Sequence, residues 1–465
     1  MDDLERLLTR AARTSAAHRR TVGDRPVVPG KSLDDIHKGF AGVLPEGPTP
    51  PDEVLDELIA AADDAMVGSV GPRYFGFVTG GALPAATAAD VLALGWDQAA
   101  FNETLSPAAG AAEQAAGRWL KELLGLPDGS STAFVTGAQA GNTVGLAVGR
   151  AEVLAAAGWD VGTQGLHGAP RIRVVAGEER HATVDRAVRL LGLGTDCIEP
   201  VRADANGAID VAHLEEVLSA RAGEPTIVCL QAGNVNTGAC DDFAAAVPLA
   251  RLHAGWVHVD GAFGLWAAAS PRYAHLTRGV ELADSWGTDA HKWLNVPYDS
   301  GLAFCRDPRL HAATMSYSAA YLTRSGAAEP MLGDLTPESS RRARGFAVWA
   351  ALRELGRSGV ADLVDRCCEH ARTMAELLAA GGATIHNDVV LNQVLVGFGG
   401  SERTDAVVDA VQRDGTCWLG ATTWRGERLM RVAVSNWTTT REDIERSAAA
   451  ILECAARTRQ GRRTT

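Results

Sequence analysis

The feature that most constrains the fold is a regular alternation of short apolar runs and longer helical stretches between residues 86 and 310. The apolar or β-branched runs are STAFV, RIRVV, TIVCL, GWVHV and GLAFC, and Ala/Leu-rich stretches such as QAGNTVGLAVGRAEVLAAAG separate them. Parallel strands need crossover connections, which helices usually supply, and the resulting sheet is covered by helices on both faces. The sequence therefore predicts an α/β fold with a mainly parallel sheet.

The pattern along the chain divides it into three regions. Residues 1–85 contain helical segments without strand–helix alternation, residues 86–355 contain the main sheet, and residues 356–465 show a second, shorter α/β pattern. A length of 465 residues allows two or three such units. We expect an N-terminal helical segment, a large domain and a smaller C-terminal α/β domain.

Charge and cysteine content narrow the classes of function. The chain has 44 basic and 57 acidic residues and a net charge of −13, which disfavours binding to nucleic-acid phosphates and to anionic membranes. No uncharged run has membrane-spanning length, the N-terminus lacks the apolar stretch of a signal peptide, and the eight cysteines show no CxxC spacing. We expect a cytoplasmic protein with reduced cysteines and a small-molecule partner, without nucleic-acid or membrane binding.

Four of the predicted strands are followed by residues suited to chemistry, at the strand ends where doubly wound sheets bind ligands. Residues 136–142 form a turn of small residues before a helix, a place that favours phosphate. His181 follows RIRVV, Asp260 ends the strand of GWVHV, and Lys292 follows the next predicted strand. Each also has a purely structural explanation: a tight turn, a helix cap, a carboxylate with a structural cation, and a surface lysine.

Taken together, the four features match the attachments of one cofactor. Pyridoxal 5′-phosphate needs a phosphate cradle, a planar side chain for stacking, a carboxylate for its ring nitrogen and a lysine for its aldehyde. The chain lacks GxGxxG, GxxxxGK[ST], HExxH, DxDxDG and GxSxG, so no dinucleotide, nucleotide, metal or serine-hydrolase motif competes with this interpretation. We predict a pyridoxal-phosphate enzyme without a metal site.

The stretch DAHKWLNVPYDSG, residues 289–301, carries the most specific resemblance to a known family. It is similar to the signature of group II pyridoxal-phosphate-dependent amino-acid decarboxylases, in which the cofactor lysine lies between a histidine and a tryptophan. WVHVDGAFG resembles the family's HVDAA motif, GPRYFGFVTGG its HPQFFAYF segment, and RRARGFAVW its arginine cluster. The resemblance covers residues 35–440 approximately and implies fold type I, as in aspartate aminotransferase, with a large domain and a smaller C-terminal domain.

The resemblance implies roles for five residues around the cofactor ring. Lys292 would form the Schiff base, and His291 would help to hold the phosphate. Asp260 would keep the pyridine nitrogen protonated, and Ala262 would pack against the ring. His181 would stack on the face of the ring near the substrate carboxylate. The implied catalytic residues are therefore Lys292, His181 and Asp260.

Further cofactor contacts are implied at two loops. Gly137, Ala138 and Gln139 match the phosphate-binding turn, although the family often has serine there. Asn234, in AGNVNTGACDD, matches the position of a threonine that contacts the cofactor. The resemblance therefore implies phosphate contacts through backbone amides more than through hydroxyl groups.

Substrate contacts are implied at Phe77, Phe101 and Arg344, which lie in the segments that resemble the family's substrate pocket and arginine cluster. Aromatic side chains in the first two segments would suit an aromatic or bulky apolar amino acid, but they could equally belong to the core. The other aromatic residues considered for this pocket are Tyr74, Phe75 and Trp96.

The implied reaction is decarboxylation of an L-amino acid through an external aldimine and a quinonoid, with release of CO₂. The bond that breaks at Cα is the one perpendicular to the cofactor ring, so orientation in the pocket selects the reaction. A carbon–carbon lyase of the retro-aldol type therefore stays open. A non-catalytic relative is a further alternative, and it would be expected to have lost Lys292 or Asp260.

One loop departs from the family pattern. Relatives generally carry a tyrosine on the loop before the arginine-rich helix, and in many of them this tyrosine protonates Cα. Replacement of the tyrosine accompanies oxidative deamination to an aldehyde. Residues 327–340, AAEPMLGDLTPESS, contain no tyrosine, histidine or lysine, and the nearest preceding tyrosine is Tyr321. His181 or Glu329 could supply the proton instead, since a general acid needs only reach and a suitable pKa. Amine and aldehyde products both stay open.

The N-terminal helical segment implies an oligomer. Residues 1–85 would be an isolated solvent-facing appendage in a monomer, whereas such segments in the resembled family exchange with a partner subunit. We expect a homodimer with the active site at its interface.

Overall fold

A computed structural model describes residues 3–317 and 331–461 of the chain. The chain divides into two compact units. The small unit takes its residues from 1–79, 373–386 and 395–465, and the large unit takes its residues from 80–372 and 387–394. N-terminal residues thus share a unit with C-terminal ones. The three-region division stays a prediction, as does packing of the N-terminal segment on a partner.

Within the described residues the helices are α1 (Asp3–Thr21), α2 (Leu33–Phe40), α3 (Pro51–Ala62), α4 (Pro84–Trp96), α5 (Pro107–Leu124), α6 (Ala138–Ala156), α7 (Val161–Gln164), α8 (Ala182–Leu190), α9 (Val211–Ala220), α10 (Phe243–Leu252), α11 (Pro308–Met315), α12 (Gly345–Ala380), α13 (Ser401–Asp414) and α14 (Arg441–Gly461). Helix α12 is interrupted at Gly356, where φ is +60°. Short 3₁₀ helices lie at Thr195–Cys197, Gly264–Ala269, Ala274–Thr277, Val280–Leu282 and Leu332–Leu335.

The strands of the same residues are β1 (Ser131–Val135), β2 (Arg173–Gly177), β3 (Ile198–Val201), β4 (Thr226–Gln231), β5 (Trp256–Asp260), β6 (Ser285–Asp289), β7 (Gly301–Cys305), β8 (Thr384–Ile385), β9 (Gln393–Gly397), β10 (Gly420–Trp424) and β11 (Glu427–Ala433). Seven of them form one sheet in the order β1-β7-β6-β5-β4-β2-β3. Neighbours from β3 to β6 pair in parallel, whereas β7 is antiparallel to both β1 and β6. The prediction of a mainly parallel α/β fold is confirmed.

The register of this sheet brings the ends of several strands to one edge. Strands β1, β2, β4, β5 and β6 run in the same direction, so their carboxyl ends lie together. The first residue of β7, Gly301, is paired with Val135 at the end of β1 and with Asp289 at the end of β6. In an open α/β sheet this edge is where ligands bind.

Helix α6 lies directly on the sheet because its sequence has glycine every four residues. A side chain at Gly145 would overlap the ring of His258, and one at Gly149 would overlap the ring of Trp256. Residues four apart lie on the same face of a helix, so these glycines leave a flat face that approaches β5. This close packing determines where the N-terminus of α6 lies above the carboxyl edge of the sheet.

The small unit has its own sheet, in the order β10-β11-β9-β8. Strand β10 pairs antiparallel with β11, and β8 pairs antiparallel with β9. The N-terminal residues of this unit join the same core. The Phe75 amide donates a hydrogen bond to the Trp418 carbonyl, and the Phe75 carbonyl accepts one from the Ala433 amide. A buried Arg73 pairs with Asp443 of α14 at 3.1 Å.

None of the described helices has the length and apolar character needed to cross a membrane. The eight cysteines are unpaired, and all except the half-buried Cys240 are buried. Burial raises the pKa of Cys240 to about 12, and such thiols are poor nucleophiles.

A buried ion pair connects α5 to the segment before α12. Arg341 donates two hydrogen bonds of 2.7 Å to the carboxylate of Glu113, and each side chain is 2% exposed. Burial raises the pKa of Glu113, and the charge and hydrogen bonds of Arg341 oppose that rise. Removing one partner of such a pair leaves an uncompensated charge inside the protein.

We predict that Glu113→Gln lowers the free energy of unfolding by about 3 kcal/mol, because it leaves the Arg341 guanidinium buried without a counter-charge. Chemical denaturation of the full chain measures this change. The control is Glu122→Gln on the same helix, which breaks an exposed pair with Arg357 and should cost less than about 1 kcal/mol. Equal losses for the two variants would contradict the prediction.

Candidate active site

Lys292 lies in a tight turn that follows β6. Asn295 adopts a left-handed conformation (φ +56°), and its side chain accepts a hydrogen bond from the Gly81 amide at 2.6 Å and donates one to the Trp293 carbonyl at 2.8 Å. A side chain at Gly80 would overlap the Lys292 carbonyl. The segment that starts at Gly80 therefore passes directly over the turn and holds it in place.

The amine of Lys292 is paired with a buried carboxylate. Its Nζ lies 3.2 Å from Oδ2 of Asp289, the last residue of β6, which is 4% exposed at its side chain. The other oxygen, Oδ1, accepts a 2.5 Å hydrogen bond from the amide of Ala138, the first residue of α6. Asp289 thus connects the lysine turn to the N-terminus of α6.

His291 lies on the other side of the same carboxylate. Its Nε2 is 3.4 Å from Asp289 Oδ1, and its Nδ1 accepts a hydrogen bond from the Ser300 amide at 3.1 Å. Burial lowers the pKa of His291, although the charge of Asp289 opposes this. A neutral ring that accepts at Nδ1 carries its proton on Nε2, so it can donate a hydrogen bond to an anion.

Asp260, at the end of β5, is buried and has no cationic partner among the described residues. Its oxygens accept hydrogen bonds from the Ala262 amide at 3.2 Å and from the Thr183 hydroxyl at 3.4 Å. Among the described residues, no Lys, Arg or His nitrogen lies within 4.0 Å of this carboxylate. His181 caps α8 and lies beside it, with Nδ1 2.9 Å from the same Thr183 hydroxyl.

A continuous chain of buried hydrogen bonds leads to Asp260 from below the sheet edge. Ser285 Oγ accepts from the Trp256 indole at 3.0 Å and lies 2.9 Å from His258 Nδ1. His258 Nε2 lies 3.0 Å from Asn142 Oδ1, and Asn142 Nδ2 donates to Thr183 Oγ1 at 3.2 Å. These distances fit a neutral His258 that donates from Nε2 and accepts at Nδ1, and burial lowers its pKa from 6.5 to about 3.

The N-terminus of α6 forms a cradle against β7. A side chain at Gly301 would overlap the backbone of Gly137, so Gly301 must lack a side chain there. Gln139 donates to the Thr183 carbonyl at 3.3 Å, while its Oε1 is buried without a partner in the described structure. The hydroxyl of Ser300, which is 1% exposed, also has no partner among these residues. The cradle therefore holds polar atoms that a ligand could satisfy.

Asn234 follows β4 at the same edge of the sheet, but its side chain serves the loop. It donates to the Glu179 carbonyl at 2.9 Å and accepts from the amides of Asn236 and Thr237 at 2.9 and 3.3 Å. The residue is 0% exposed. Its predicted contact with a cofactor stays a prediction.

Two of the predicted substrate residues lie in the large unit and have other partners. Arg344 donates to both carboxylate oxygens of Asp299, at 2.9 and 3.2 Å. Burial would raise the pKa of Asp299, but the hydrogen bonds and charge of Arg344 outweigh burial and lower it. Phe101 packs against Gly333, whose amide donates to its carbonyl at 2.8 Å. Their predicted contacts with substrate stay predictions.

Phe77, the third predicted substrate residue, belongs to the small unit. It has a positive φ of 53°, is 64% exposed, and stacks on Trp418 with ring centroids 5.4 Å apart. Together with Trp418, Arg428 and other side chains it lines a cavity of about 520 Å³. Tyr74 and Phe75 are buried core residues of the same unit.

The remaining predictions concern Trp96 and the loop before α12. Trp96, in the large unit, is 52% exposed and packs edge-on against Phe346. Tyr321 and Glu329 lie outside the described residues. Tyr317, at the start of that loop, places its hydroxyl 2.7 Å from Ser339 Oγ.

The chain matches a known family over three quarters of its length. A family model described as "Pyridoxal-dependent decarboxylase conserved domain" matches residues 45–397. The chain belongs to this family. The decarboxylase is a pyridoxal-phosphate-dependent lyase that acts on an amino acid, as the sequence predicted.

Several similar proteins align with nearly the whole decarboxylase chain. Tryptophan decarboxylase 1 of Oryza sativa subsp. japonica is 27% identical and covers 94% of this chain and 90% of its own. Phenylacetaldehyde synthase of Arabidopsis thaliana is 24% identical, and the alignment covers 90% of this chain and 89% of the synthase. The crystal structure of Oryza sativa TDC with PLP and tryptamine superposes with a TM-score of 0.91 at 23% identity, covering 98% of both chains. This likeness supports fold type I.

The residues at the carboxyl edge fit pyridoxal 5′-phosphate. Three groups are suited to a phosphate: the N-terminus of α6, the Nε2 of His291, and the hydroxyl of Ser300, which has no partner among the described residues. The buried carboxylate of Asp260 needs a positive partner, which a protonated ring nitrogen would be. Lys292 supplies the primary amine for the aldehyde.

Sequence reasoning missed several residues of the site. Asp289 and Ser300 lie within the quoted lysine stretch, yet nothing in their spacing distinguished them from loop residues. Asn142, Thr183 and His258 were missed because their hydrogen bonds connect residues far apart in sequence. The only available signal was that buried strands and small-residue helices rarely contain polar side chains without a partner.

We predict that His258→Gln makes the decarboxylase less sensitive to acid. The folded pKa near 3 lies below the ordinary value of 6.5, so the stabilisation from neutral His258 is complete above pH 6.5. It is lost as the pH falls from there towards 3, by about 1.4 kcal/mol per pH unit. Urea unfolding between pH 6.5 and 4.5 should show a flatter decline for the variant than for wild type.

The exposed His167 provides the matched control, since His167→Gln should keep the wild-type decline. A wild-type slope in His258→Gln would mean that this ring is not held neutral by the fold.

Proposed function

We propose that the decarboxylase removes CO₂ from an aromatic or bulky apolar L-amino acid and releases the corresponding amine. The family match carries the reaction type. The observation that carries the cofactor is the placement of Asp260 at the end of β5 and of Lys292 just after the adjacent parallel strand β6. Lys292 is held by a single carboxylate, and Asp260 is a buried anion without a cation among the described residues.

The bound cofactor supplies an electron sink for the negative charge that remains at Cα when CO₂ leaves. Asp260 would keep the cofactor's ring nitrogen protonated, because a carboxylate buried at that point favours a positive partner. Thr183 and the buried chain behind it hold the Asp260 carboxylate in position. Lys292 would supply the primary amine that holds the cofactor's aldehyde.

Further roles follow for the residues around the ring. His181 would stack on the face of the cofactor ring, His291 would donate Nε2–H to the phosphate, and Ala262 would pack against the ring. The amides of Gly137, Ala138 and Gln139 would hold the phosphate at the N-terminus of α6. Asn234 orders the neighbouring loop and thereby the approach to the cofactor.

The proposal for the substrate rests on aromatic groups and on relatives. Tyr298, 56% exposed, lies over the His291 ring with centroids 4.4 Å apart, so an aromatic surface adjoins the lysine turn. Phe101 and Arg344, which lie in the same unit as Lys292, are proposed to contact the substrate. The predicted substrate contact of Phe77 stays a prediction. The similarity to a tryptophan decarboxylase supports an aromatic substrate.

A second candidate product is the aldehyde. Residues 327–340 contain no tyrosine, histidine or lysine that could protonate Cα, and one similar protein is a phenylacetaldehyde synthase. In this reaction the amino acid, O₂ and water would give an aldehyde, CO₂, ammonia and hydrogen peroxide, with O₂ as the oxidant.

We also propose a homodimer, with the active site at its interface, in the cytoplasm. Helices α1, α2 and α3 contain no buried residue, and α4 buries only Ala86 and Ala93. Large apolar side chains on these helices are exposed, among them Leu4, Leu8 and Leu94 at 60, 52 and 63%. Such surfaces are typical of protein interfaces.

We predict CO₂ and amine in equal amounts when the cofactor-loaded enzyme meets a panel of L-amino acids, with the highest kcat/KM for an aromatic one. CO₂, amine, ammonia and hydrogen peroxide are measured together. CO₂ with equal ammonia and peroxide would support the aldehyde product instead. Aldehyde and glycine from β-hydroxy amino acids, without CO₂, would contradict decarboxylation.

Lys292→Ala is the control for this panel. It should lose the visible absorbance band of the lysine-bound cofactor and reduce turnover by at least about 100-fold, since it removes the covalent attachment. Turnover that persists in this variant would assign the activity to a contaminant.

We predict a solution mass of twice 48.8 kDa by light scattering. Changing both Leu4 and Leu8 to Glu should lower this mass and the activity together, because charges would enter the apolar contact. Leu252→Glu alters a leucine that is 82% exposed outside these helices, and it should leave both properties unchanged. A fully active wild-type monomer would exclude the interface site.

A further inference from the structure

The carboxylate of Asp289 occupies the position of an anion at the N-terminus of α6. It accepts a hydrogen bond of 2.5 Å from the amide of Ala138, the first residue of the helix. A side chain at Gly137 would lie 3.2 Å from its Oδ1. Helix N-termini attract anions because their amides are unpaired and the helix dipole is positive there. Asp289 therefore satisfies, from within the chain, the same groups that suit a phosphate.

The same carboxylate is the counter-charge of Lys292, and it also lies beside the neutral ring of His291. Lys292 Nζ lies 3.2 Å from Oδ2, and His291 Nε2 lies 3.4 Å from Oδ1. In the described structure these are the carboxylate contacts within 4.0 Å of the Lys292 and His291 nitrogens. Asp289 therefore contacts Lys292, His291 and the Ala138 amide, which are three of the groups proposed above to hold the cofactor.

Two anions cannot share these partners without a cost. A phosphate carries up to two negative charges near neutral pH, and like charges a few ångströms apart repel strongly where water is excluded. Asp289 is 4% exposed at its side chain, so solvent screens this repulsion poorly. Binding of a phosphate at α6 would therefore have to displace Asp289 or proceed against its charge.

We propose that Asp289 is a positioning residue that fills the anion site of α6 and holds Lys292 in the cofactor-free protein, and that it thereby lowers cofactor affinity. This inference rests on the proposed function, since it concerns capture of the same cofactor. It makes two opposite predictions for one substitution: loss of the charge destabilises the cofactor-free protein and strengthens cofactor binding.

The test is Asp289→Asn, which keeps the shape of the side chain and an oxygen for the Ala138 amide. Titration of the cofactor-free protein with pyridoxal 5′-phosphate, followed by absorbance and tryptophan fluorescence, should give a Kd about tenfold lower than wild type, because the repulsion is removed. The melting temperature of the cofactor-free variant should fall, because Lys292 loses its counter-charge.

Inorganic phosphate provides a probe that lacks the aldehyde. It should raise the melting temperature of cofactor-free Asp289→Asn more than that of the wild-type protein. Asp289→Ser, a shorter neutral variant, replaces Asp289→Asn in both measurements if the amide variant does not fold.

The matched control is Asp284→Asn, just before β6 at its opposite end. Asp284 is also a largely buried carboxylate, paired with Arg251 and accepting the Val257 amide at 2.8 Å. This control should lower the melting temperature with and without cofactor and leave the Kd unchanged.

An unchanged or higher Kd in the Asp289 variants would overturn the inference and assign Asp289 a purely structural role. Wild-type protein that gives no visible cofactor band would instead contradict the proposed function. The two failures are therefore distinguishable.

Discussion

The balance of buried charge at the carboxyl edge of the large sheet is the constraint on which the site depends. Asp260 and Asp289 end adjacent strands, and Lys292 is the cation that lies against one of them. A buried charge is tolerated only with a partner or hydrogen bonds. Asp289 satisfies this condition within the chain, through Lys292 and the Ala138 amide. Asp260 relies on two hydrogen bonds, which leaves its charge available to a cationic ligand.

The geometry of these charges depends in turn on backbone packing. Glycines on one face let α6 approach β5, and this approach brings Asn142 within reach of His258. The hydrogen bonds then run through Thr183 to the Asp260 carboxylate. A larger residue on that helix face would move both the phosphate cradle and the support of Asp260, because one helix positions both.

Much of the fold could be predicted from periodicity, because parallel strands are buried on both faces and appear as short apolar runs between helices. The same pattern located Lys292, Asp260 and His181 at strand ends, since strand ends are where a buried run stops. The roles of these residues remain proposals. Asn234 was predicted from the family resemblance alone. Its side chain hydrogen-bonds the Glu179 carbonyl and the Asn236 amide, and its contact with a cofactor stays a prediction.

The sequence by itself determined the mainly parallel α/β fold and the family, because both depend on local patterns and a short motif around Lys292. Only the tertiary structure decided which groups face one another. Within that motif nothing distinguishes Asp289 from its neighbours. In the folded chain it contacts the N-terminus of α6, about 150 residues earlier in the sequence. The physical reason is that charge balance and hydrogen bonding depend on distances in space, and separations along the chain do not report those distances.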